Sequence, residues 1–300
     1  MGFMAHSWIP QATDDGSFTF FSETFGETFH STQGARAEAF VKFVKATHLA
    51  EKATRDRLNL LDVCYGLGYN TAAALETIWT VNPACQVQVY GLEWDATVPA
   101  GAIEPPLIQS WSPAVQTVLK SLAEQHVCQT DRLQATLLIG DARQTIDPVI
   151  QSGFAADAIF FDPFSPRRCP QLWTVDFFQR IVRCLAPDGM LATYSRSACV
   201  RSAMVEAGLT IGTIPMNNLI NDEPHPTHEW SQGTIGAWTT AGLYPLTQME
   251  QEHLCTRAAI PYRDPSLTDS AEAILSRHQQ EQKICGREST SSWRRRWKIT

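Results

Sequence analysis

Two glycines at the end of an apolar run are the first residues whose spacing suggests chemistry. Gly66 and Gly68 follow the run that begins at Leu58. Glycine lets the backbone bend sharply and approach a bound ligand without a Cβ in the way. A dinucleotide-binding turn carries a third glycine, but Thr71 stands at that position. Because the third glycine accompanies a pyrophosphate on the helix N-terminus, the two-glycine turn favours a nucleoside cofactor without phosphates.

Two acids stand at the ends of later apolar runs. Glu93 follows residues 87–92, and an acid at the end of the second strand accepts hydrogen bonds from ribose hydroxyls in nicotinamide enzymes and methyltransferases alike. Asp141 can accept the adenine amino group while the backbone N–H of Ala142 serves a ring nitrogen. The two acids therefore indicate an adenosine-type ligand, although Glu93 also fits a surface loop.

A further apolar run ends in the turn Asp162-Pro163-Phe164-Ser165-Pro166. Its two prolines fix the backbone and carry no N–H, so the turn offers hydrogen-bond acceptors. A carboxylate beside the Pro163 carbonyl can orient the hydrogens of an amine and receive the positive charge that develops when the amine is methylated. Since a carboxylate also favours the charged amine, we assign Asp162 and the Pro163 carbonyl this role rather than that of a strong base. The alternative is a structural turn with a capping Asp.

The candidate residues can form one site only if the secondary structure brings the ends of their strands together. Short apolar runs predict strands at 58–63, 87–92, 135–139, 158–161 and 190–194. Helices are predicted at 69–79 and at 174–185, the second ending at Pro187-Asp188-Gly189. Strands separated by helices imply an α/β fold with a mostly parallel sheet, whose ligands bind at the carboxyl ends of the strands. Segments 209–215 and 234–238 fit edge strands joined by the Pro-rich loop 221–227, whereas residues 94–134 carry no motif.

The two ends of the chain carry their own patterns. Residues 15–21 and 27–31 fit a β-hairpin around 22–26, and the apolar spacing of residues 37, 40, 41 and 44 predicts a helix at 35–49. Near the C-terminus, Asp269 with Glu272 predicts a capped helix that runs to about Lys283. We therefore predict an N-terminal hairpin and helix at 1–50, a core at 51–245 and a C-terminal extension with a basic tail at 246–300.

Composition argues against several classes of protein. The eight cysteines form no C-x-x-C pair, and His225 and His228 beside Glu229 lack the helical spacing of a zinc site, so no metal is expected. No apolar run approaches the roughly 18 residues of a membrane span, and the N-terminus does not resemble a signal peptide, which indicates a cytoplasmic protein without a membrane partner. The net charge of −7 argues against nucleic acid, but residues 283–300 hold six basic side chains against Glu288. Such a tail either binds phosphates or is a solvated end of the chain.

Several motifs in order along the chain make it resemble the MnmC-like bacterial tRNA methyltransferases. They are Asp15-Gly16-Ser17, Glu27-Thr28-Phe29-His30-Ser31-x-x-Gly34-Ala35, Asp62-Val63-Cys64-Tyr65-Gly66-Leu67-Gly68-Tyr69-Asn70, Phe161-Asp162-Pro163-Phe164-Ser165-Pro166 with Pro170-x-Leu172-Trp173-Thr174, Leu191-Ala192-Thr193-Tyr194-Ser195, and Pro261-Tyr262-Arg263-Asp264-Pro265. The resemblance spans nearly the whole chain, apart from residues 94–134 and 221–227.

The resemblance implies a Rossmann-like class I methyltransferase with a mostly parallel seven-stranded sheet, an N-terminal hairpin and helix, and a C-terminal helical tail. It implies S-adenosyl-L-methionine as the methyl donor and the 5-aminomethyl group of the wobble (2-thio)uridine in a tRNA anticodon stem-loop as the acceptor, giving 5-methylaminomethyl-uridine. Many relatives carry a fused flavin oxidase domain that removes a carboxymethyl group; 300 residues leave no room for it, so the aminomethyl form is the expected substrate.

The resemblance also suggests roles for individual residues. Asp162 and Pro163 would act at the amine, and His30 and Phe164 would contact the substrate. The cofactor would be held by Ser31, Gly66, Leu67, Gly68, Asn70, Glu93, Asp141, Ala142 and Asp162. The segment 293–298 is not attributable to the family, but its aromatic residues and Arg294, Arg295 and Arg296 could stack on anticodon-loop bases and bind phosphates.

Other functions remain open from the sequence. A methyltransferase acting on another amine, in a small molecule or a protein, would use the same turn at Asp162. A nicotinamide-dependent oxidoreductase would share the strand-end acids, but we find neither the third glycine nor a constellation that handles a hydride. A nucleoside-binding module without catalysis would also keep Gly66, Gly68 and Glu93.

Overall fold

The computed structural model describes residues 8–216 and 230–299. The chain divides into two compact units, Met1–Phe164 and Ser165–Thr300. The boundaries expected at 50/51 and 245/246 stay a prediction. The loop at 221–227 and the group His225, His228 and Glu229 lie outside the described residues.

Five strands form the sheet of the first unit, in the order β9-β5-β6-β8-β7. They are β5 (Arg57–Val63), β6 (Gln86–Glu93), β7 (Val127–Thr130), β8 (Leu133–Ile139) and β9 (Ala156–Phe161). Strand β5 runs parallel to β6 and β9, β6 runs parallel to β8, and β7 is antiparallel to β8. Val63 lies opposite both Leu92 and Phe161, so three carboxyl ends meet at one edge. This register confirms that the residues after β5, β6 and β9 share that edge.

Four α-helices of the first unit lie after or between its sheet strands, and only the first of them was predicted as a helix. They are α3 (Tyr69–Val81), α4 (Thr97–Ala102), α5 (Pro113–Gln125) and α6 (Ala142–Gln151). Residues 94–134, for which the sequence offered no motif, fold into α4, a 3₁₀ turn at Leu107–Ser110, α5 and β7.

The N-terminal segment forms two hairpins rather than one. Strands β1 (Gln11–Ala12) and β2 (Phe18–Thr19) are antiparallel, as are β3 (Phe21–Ser22) and β4 (Glu27–Thr28), the pair that the sequence predicted around 22–26. The following helix begins as α1 (Ala35–Glu38), continues as a π-helix (Ala39–Lys45), and is followed by the separate turn α2 (Leu49–Lys52).

The π-helix shifts part of the predicted apolar stripe of this helix. Of residues 37, 40, 41 and 44, Val44 is buried, Phe40 and Val41 are half-buried and Ala37 is exposed, and Ala35, Ala39 and Phe43 are buried as well. A π-helix has a wider turn, with hydrogen bonds between residues five apart, so positions four apart align more closely than the α-helical period allows. The polar side chains between the buried positions therefore lie on a face of the helix that the spacing of residues 37, 40, 41 and 44 did not predict.

The described part of the second unit contains three strands, five α-helices and three short 3₁₀ helices. The strands are β10 (Leu185–Thr193), β11 (Thr210–Ile214) and β12 (Gly233–Ala237), and β12 pairs with both β10 and β11, so it is not the edge strand we expected. The helices are α7 (Val175–Ile181), α8 (Ala198–Glu206), α9 (Gln248–His253), α10 (Ala271–Ile284) and α11 (Thr290–Arg296).

Several predicted details need correction. Apart from the two N-terminal hairpins, the described ranges hold eight strands instead of seven, and β7 is the strand that the sequence did not predict. The helix predicted to reach Leu185 ends at Ile181 with a 3₁₀ turn, and Pro187 lies in β10, because the residue before a proline favours extended backbone. Helix α10 is capped by Ser270, whose Oγ accepts from the N–H of Ala273 at 3.2 Å. Asp269 instead binds Arg277 at 2.6 Å.

Candidate active site

The glycine turn after β5 has the backbone that a close ligand approach requires. Gly66 and Gly68 have φ of 54° and 79°, and Cys64 has φ of 66°. A Cβ built at Gly68 would lie 2.6 Å from the hydroxyl of Tyr65, so only glycine fits there. A non-glycine residue such as Cys64 with positive φ is uncommon and marks strained backbone of the kind found at functional sites. Leu67, between the glycines, is buried.

Glu93 ties the end of β6 to the glycine turn. Its Oε2 accepts from the N–H of Gly66 at 2.7 Å, and its Oε1 accepts from the N–H of Asp95 at 2.9 Å. Burial raises the pKa of Glu93, although these hydrogen bonds and one from the N–H of Trp94 lower it in part. The carboxylate is thus held at the position predicted for a ribose-binding acid, with both oxygens oriented by backbone N–H groups.

Asp62, in β5, is a buried acid whose role the sequence did not reveal. Its Oδ2 accepts from the hydroxyl of Thr71 at 2.7 Å, while within residues 8–216 and 230–299 its buried Oδ1 has no hydrogen-bond partner. Burial raises the pKa of Asp62 to about 7 against the effect of the Thr71 hydrogen bonds, and the charge of Glu93 adds to the increase. Thr71, at the place of a third glycine, therefore binds a carboxylate beneath the turn.

Asp162 continues the parallel ladder one residue beyond β9, because its N–H donates to the carbonyl of Val63 at 3.1 Å. The amide of Asn70, in the first turn of α3, donates to Asp162 Oδ2 at 2.9 Å. Burial, followed by the nearby charge of Glu38, raises the pKa of Asp162 to about 8, whereas Asn70 and Lys42 act in the opposite direction. The structure thus brings two predicted site residues, Asn70 and Asp162, into direct contact.

Aromatic rings from the N-terminal hairpin pack beside this turn. Phe25 stacks on Phe164 with ring centroids 4.3 Å apart, and Phe29 meets Phe164 edge-on at 4.9 Å. Phe29 also lies 3.4 Å from the position that a Cβ at Gly66 would take. Sequence reasoning identified Phe164 but missed Phe25 and Phe29, whose place next to the site depends on how the hairpin folds back.

Asp15 and Ser17, which belong to the motifs that carry the family resemblance, cap the start of the first helix. Ser17 Oγ accepts from the N–H groups of Ala35 and Arg36 at 3.1 Å each, and Asp15 Oδ2 accepts from the N–H of Ala37 at 2.8 Å. Burial opposes ionisation of Asp15, but hydrogen bonds from Ser17 and Ala37 outweigh it and lower its pKa to about 2. Asp15 and Ser17 therefore cap a helix that begins about twenty residues later.

His30 and Ser31 lie where the second hairpin meets α1 and α3. The His30 ring is 3.3 Å from the Thr19 hydroxyl through Nδ1 and packs edge-on against Tyr69 at 5.0 Å. Burial lowers the pKa of His30 to about 4, so the ring is neutral at pH 7. The N–H of Ser31 donates to Glu38 Oε2 at 3.2 Å.

Glu38 and Lys42, which no sequence motif marked, form an ion pair next to these residues. Their side chains are 12% and 21% exposed. The charges of both act on Asp162 and on His30. The signal available in the sequence was the i, i+4 spacing of opposite charges on the predicted helix.

Asp141 caps α6 by accepting from the N–H of Arg143 at 2.9 Å. The Arg143 side chain also pairs with Asp141, with Nη2 at 2.7 Å from Oδ2. The N–H of Gly140 donates to the carbonyl of Glu93 at 2.8 Å, which places this turn beside the end of β6. The adenine-binding role of Asp141 and Ala142 stays a prediction, in which Arg143 would share the Asp141 carboxylate with the ligand.

The basic tail lies in the second unit and is ordered as α11. Trp293 is fully buried and stacks on His253 with centroids 4.3 Å apart, so it cannot stack on RNA bases as we expected. Arg296 pairs with Glu252 at 2.9 Å and with Glu288 at 2.6 Å. Arg294 and Arg295 are exposed, and their role in phosphate binding stays a prediction.

Metal-binding clusters and membrane-spanning helices are both absent from residues 8–216 and 230–299. No group of three or more His, Cys, Asp or Glu side chains that could hold a metal is found among them. No helix within these ranges is long and apolar enough to cross a membrane.

Comparisons with known proteins agree with this geometry. Residues 105–217 match a family model described as S-adenosyl-L-methionine-dependent methyltransferase. The crystal structure of MnmC2 from Aquifex aeolicus superposes with a TM-score of 0.79 at 30% identity, covering 92% of this chain and 85% of that one. An uncharacterised protein, MJ0670 of Methanocaldococcus jannaschii, is 27% identical over 91% of this chain and 72% of its own.

A longer relative is named for a biosynthesis in tRNA. The tRNA 5-methylaminomethyl-2-thiouridine biosynthesis bifunctional protein MnmC of Polaromonas naphthalenivorans is 25% identical over 76% of this chain. The matched region is 37% of that protein, so the chain spans about a third of the length of the bifunctional relatives it matches.

Proposed function

The chain belongs to the family of S-adenosylmethionine-dependent methyltransferases that includes MnmC2 of Aquifex aeolicus, and from this premise we propose that it methylates the 5-aminomethyl group of wobble (2-thio)uridine in tRNA. The product would be 5-methylaminomethyl-(2-thio)uridine. The observation that carries the proposal is the Asp162-Pro163 turn, which offers hydrogen-bond acceptors next to the glycine turn of the methyl-donor site. The nicotinamide-dependent alternative is set aside, because the family uses S-adenosylmethionine.

The residues of the first unit fit the cofactor. Gly66 and Gly68 provide backbone without side chains, and Glu93 offers a carboxylate fixed at the end of β6. Asp62 has a buried oxygen without a partner in the described ranges, and burial raises the pKa values of Asp62 and Asp162, so a cation beside them would be stabilised by their ionised forms. S-adenosylmethionine carries such a cation, and when bound it supplies an electrophilic methyl group on a positively charged sulfur.

Asp162 and Pro163 would prepare the acceptor nitrogen. A primary amine is mostly protonated at pH 7 and must lose a proton before its lone pair can attack. In its ionised form, which the cofactor cation would favour, Asp162 would receive that proton, and we propose this base role in addition to the orienting role expected from the sequence. Asn70 fixes one oxygen of Asp162, and the other oxygen and the Pro163 carbonyl would orient the amine. Proximity then supplies much of the rate.

The tRNA acceptor is supported by the names of relatives and by chemistry. The bifunctional relatives are named for 5-methylaminomethyl-2-thiouridine biosynthesis in tRNA, whose methylamino group is what an amine methylation would produce. The aromatic side chains Phe25 and Phe164 are of the type on which extruded RNA bases stack. A protein with this substrate would act in the cytoplasm, where Arg294 and Arg295 could contact the anticodon stem-loop.

The proposal is tested by transfer of labelled methyl from S-adenosylmethionine to tRNA that carries 5-aminomethyl wobble uridine. Transfer to this tRNA is expected, with none to the same tRNA lacking the aminomethyl group. Asp162→Asn should reduce the single-turnover rate by at least about 100-fold, the usual scale for loss of a catalytic base. The control is Asp131→Asn, which changes an exposed acid in the turn between β7 and β8.

Two results would contradict the proposal. Cofactor binding without transfer to the modified tRNA would point to another amine, in a small molecule or a protein, since the Asp162-Pro163 turn would serve such an acceptor equally well. Full activity of Asp162→Asn would remove the catalytic assignment while leaving the acceptor in place.

A further inference from the structure

The π-helix brings charged residues to the strand end that carries Asp162. Phe43 packs edge-on against Phe160 of β9, with ring centroids 5.9 Å apart. Asp162 is two residues beyond Phe160 and continues the ladder, so both side chains point to the same face of the sheet. Lys42 precedes Phe43, and Glu38 lies one turn earlier in the same helix. The helix therefore packs on the side of the sheet from which Asp162 projects.

The Glu38–Lys42 pair differs from an ordinary surface pair between residues four apart. Both side chains are mostly buried, and Glu38 is further fixed by the N–H of Ser31 at 3.2 Å. Exposed pairs of this kind contribute little to stability, and burying two charges is costly unless other groups interact with them. The π-helix that follows Glu38 and carries Lys42 is itself a rare element, which is often found at functional sites.

The charged groups around the Glu38–Lys42 pair suit a ligand that carries both a positive and a negative charge. Within the described ranges the buried Oδ1 of Asp62 has no hydrogen-bond partner, and His30 is neutral at pH 7. Lys42 has three N–H donors, of which the contact with Glu38 uses one. The methionyl end of S-adenosylmethionine carries one ammonium and one carboxylate. These charges are complementary to those of Glu38 and Lys42.

We propose that Glu38 and Lys42 bind the methionyl end of S-adenosylmethionine, with the Lys42 ammonium receiving the α-carboxylate and the Glu38 carboxylate receiving the α-ammonium. The two residues are then binding residues of the cofactor site, in addition to the glycine turn and Glu93. The inference rests on the cofactor of the proposed function and not on its acceptor, so a failure to methylate tRNA leaves it untouched.

The test is a set of dissociation constants measured by calorimetry without tRNA for three ligands. S-adenosylmethionine carries both groups, decarboxylated S-adenosylmethionine lacks the carboxylate, and 5′-methylthioadenosine lacks both. Lys42→Met should weaken S-adenosylmethionine by about 10- to 100-fold, the range for a hydrogen bond between charged groups, and leave the decarboxylated analogue within about threefold. Glu38→Gln should weaken both amine-containing ligands. Neither variant should change the affinity for 5′-methylthioadenosine, which also shows that each variant is folded.

Two controls and one contrary result complete the test. Lys45→Met removes an exposed positive charge from the end of the same helix and should leave all three affinities unchanged. Lys42→Arg should keep the preference for S-adenosylmethionine over its decarboxylated analogue. The proposal is overturned if Lys42→Met weakens the two amine-containing ligands equally, or if it weakens neither.

Discussion

Binding of S-adenosylmethionine should release protons, because the acids at the site have raised pKa values before a cation is present. With pKa values of about 8 for Asp162 and about 7 for Asp62, about three quarters of Asp162 and one quarter of Asp62 are protonated at pH 7.5. A cation beside them favours the ionised forms and lowers both pKa values. Binding at pH 7.5 should therefore release about one proton per cofactor, and affinity should rise as the pH increases from 6 to 8.

The assay compares the binding enthalpy at pH 7.5 in phosphate and in Tris, two buffers that differ strongly in ionisation enthalpy. The difference gives the number of protons released. Asp162→Asn should reduce this number to roughly a quarter of a proton, because only Asp62 then titrates. Equal enthalpies in the two buffers, or an affinity for the cofactor that falls between pH 6 and 8, would refute the reasoning.

Two further predictions concern the fold around the site and the second unit. Gly68→Ala should weaken cofactor binding at least about tenfold and lower the stability by roughly 1–3 kcal/mol, because a Cβ there combines a positive φ with a 2.6 Å contact. Gly153→Ala has a similar φ of 71° but no atom within 4 Å of the new Cβ, so thermal denaturation and calorimetry should show a smaller loss and unchanged binding. Glu250→Gln should destabilise the protein by roughly 3–5 kcal/mol in chemical denaturation, since it leaves the buried Arg201 guanidinium, 2.9 Å away, without its counter-ion. Glu206→Gln, at an exposed pair, should change the same measurement by less than about 1 kcal/mol, and equal effects at the two sites would contradict this account.

The sequence predicted most of the sheet because buried parallel strands are continuous apolar runs. Strand β9 is buried along its whole length, and its apolar run gave the position of Asp162 at its end. Because ligands bind at the carboxyl ends of parallel strands, the sequence predicted that Gly66, Glu93 and Asp162 lie at one edge of the sheet, and the structure confirms this. Local sequence patterns were therefore sufficient to predict the position of a site residue when that position depends only on the strand that carries it.

Parts of the site that depend on tertiary packing could not be predicted in the same way. No sequence motif marked the i, i+4 charge pair of Glu38 and Lys42, because the sequence does not show that the helix widens into a π-helix. Phe25 lies in a hairpin whose contact with Phe164 joins residues far apart in the chain. Trp293 shows the opposite error, since an aromatic residue among arginines suggested an exposed surface but packs inside the second unit.

The cap that Asp15 and Ser17 place on the first helix bears on the order in which the chain is made. Ribosomes release the N-terminal residues first, so both capping side chains emerge before Ala35, Arg36 and Ala37, whose N–H groups they receive. The first turn of a helix is its costly step, because several residues must be ordered for a single hydrogen bond. The side chains of Asp15 and Ser17, which accept the hydrogen bonds of that turn, are already present when the helix residues emerge from the ribosome. The start of the helix can therefore be fixed during synthesis, before β5 and the rest of the sheet exist.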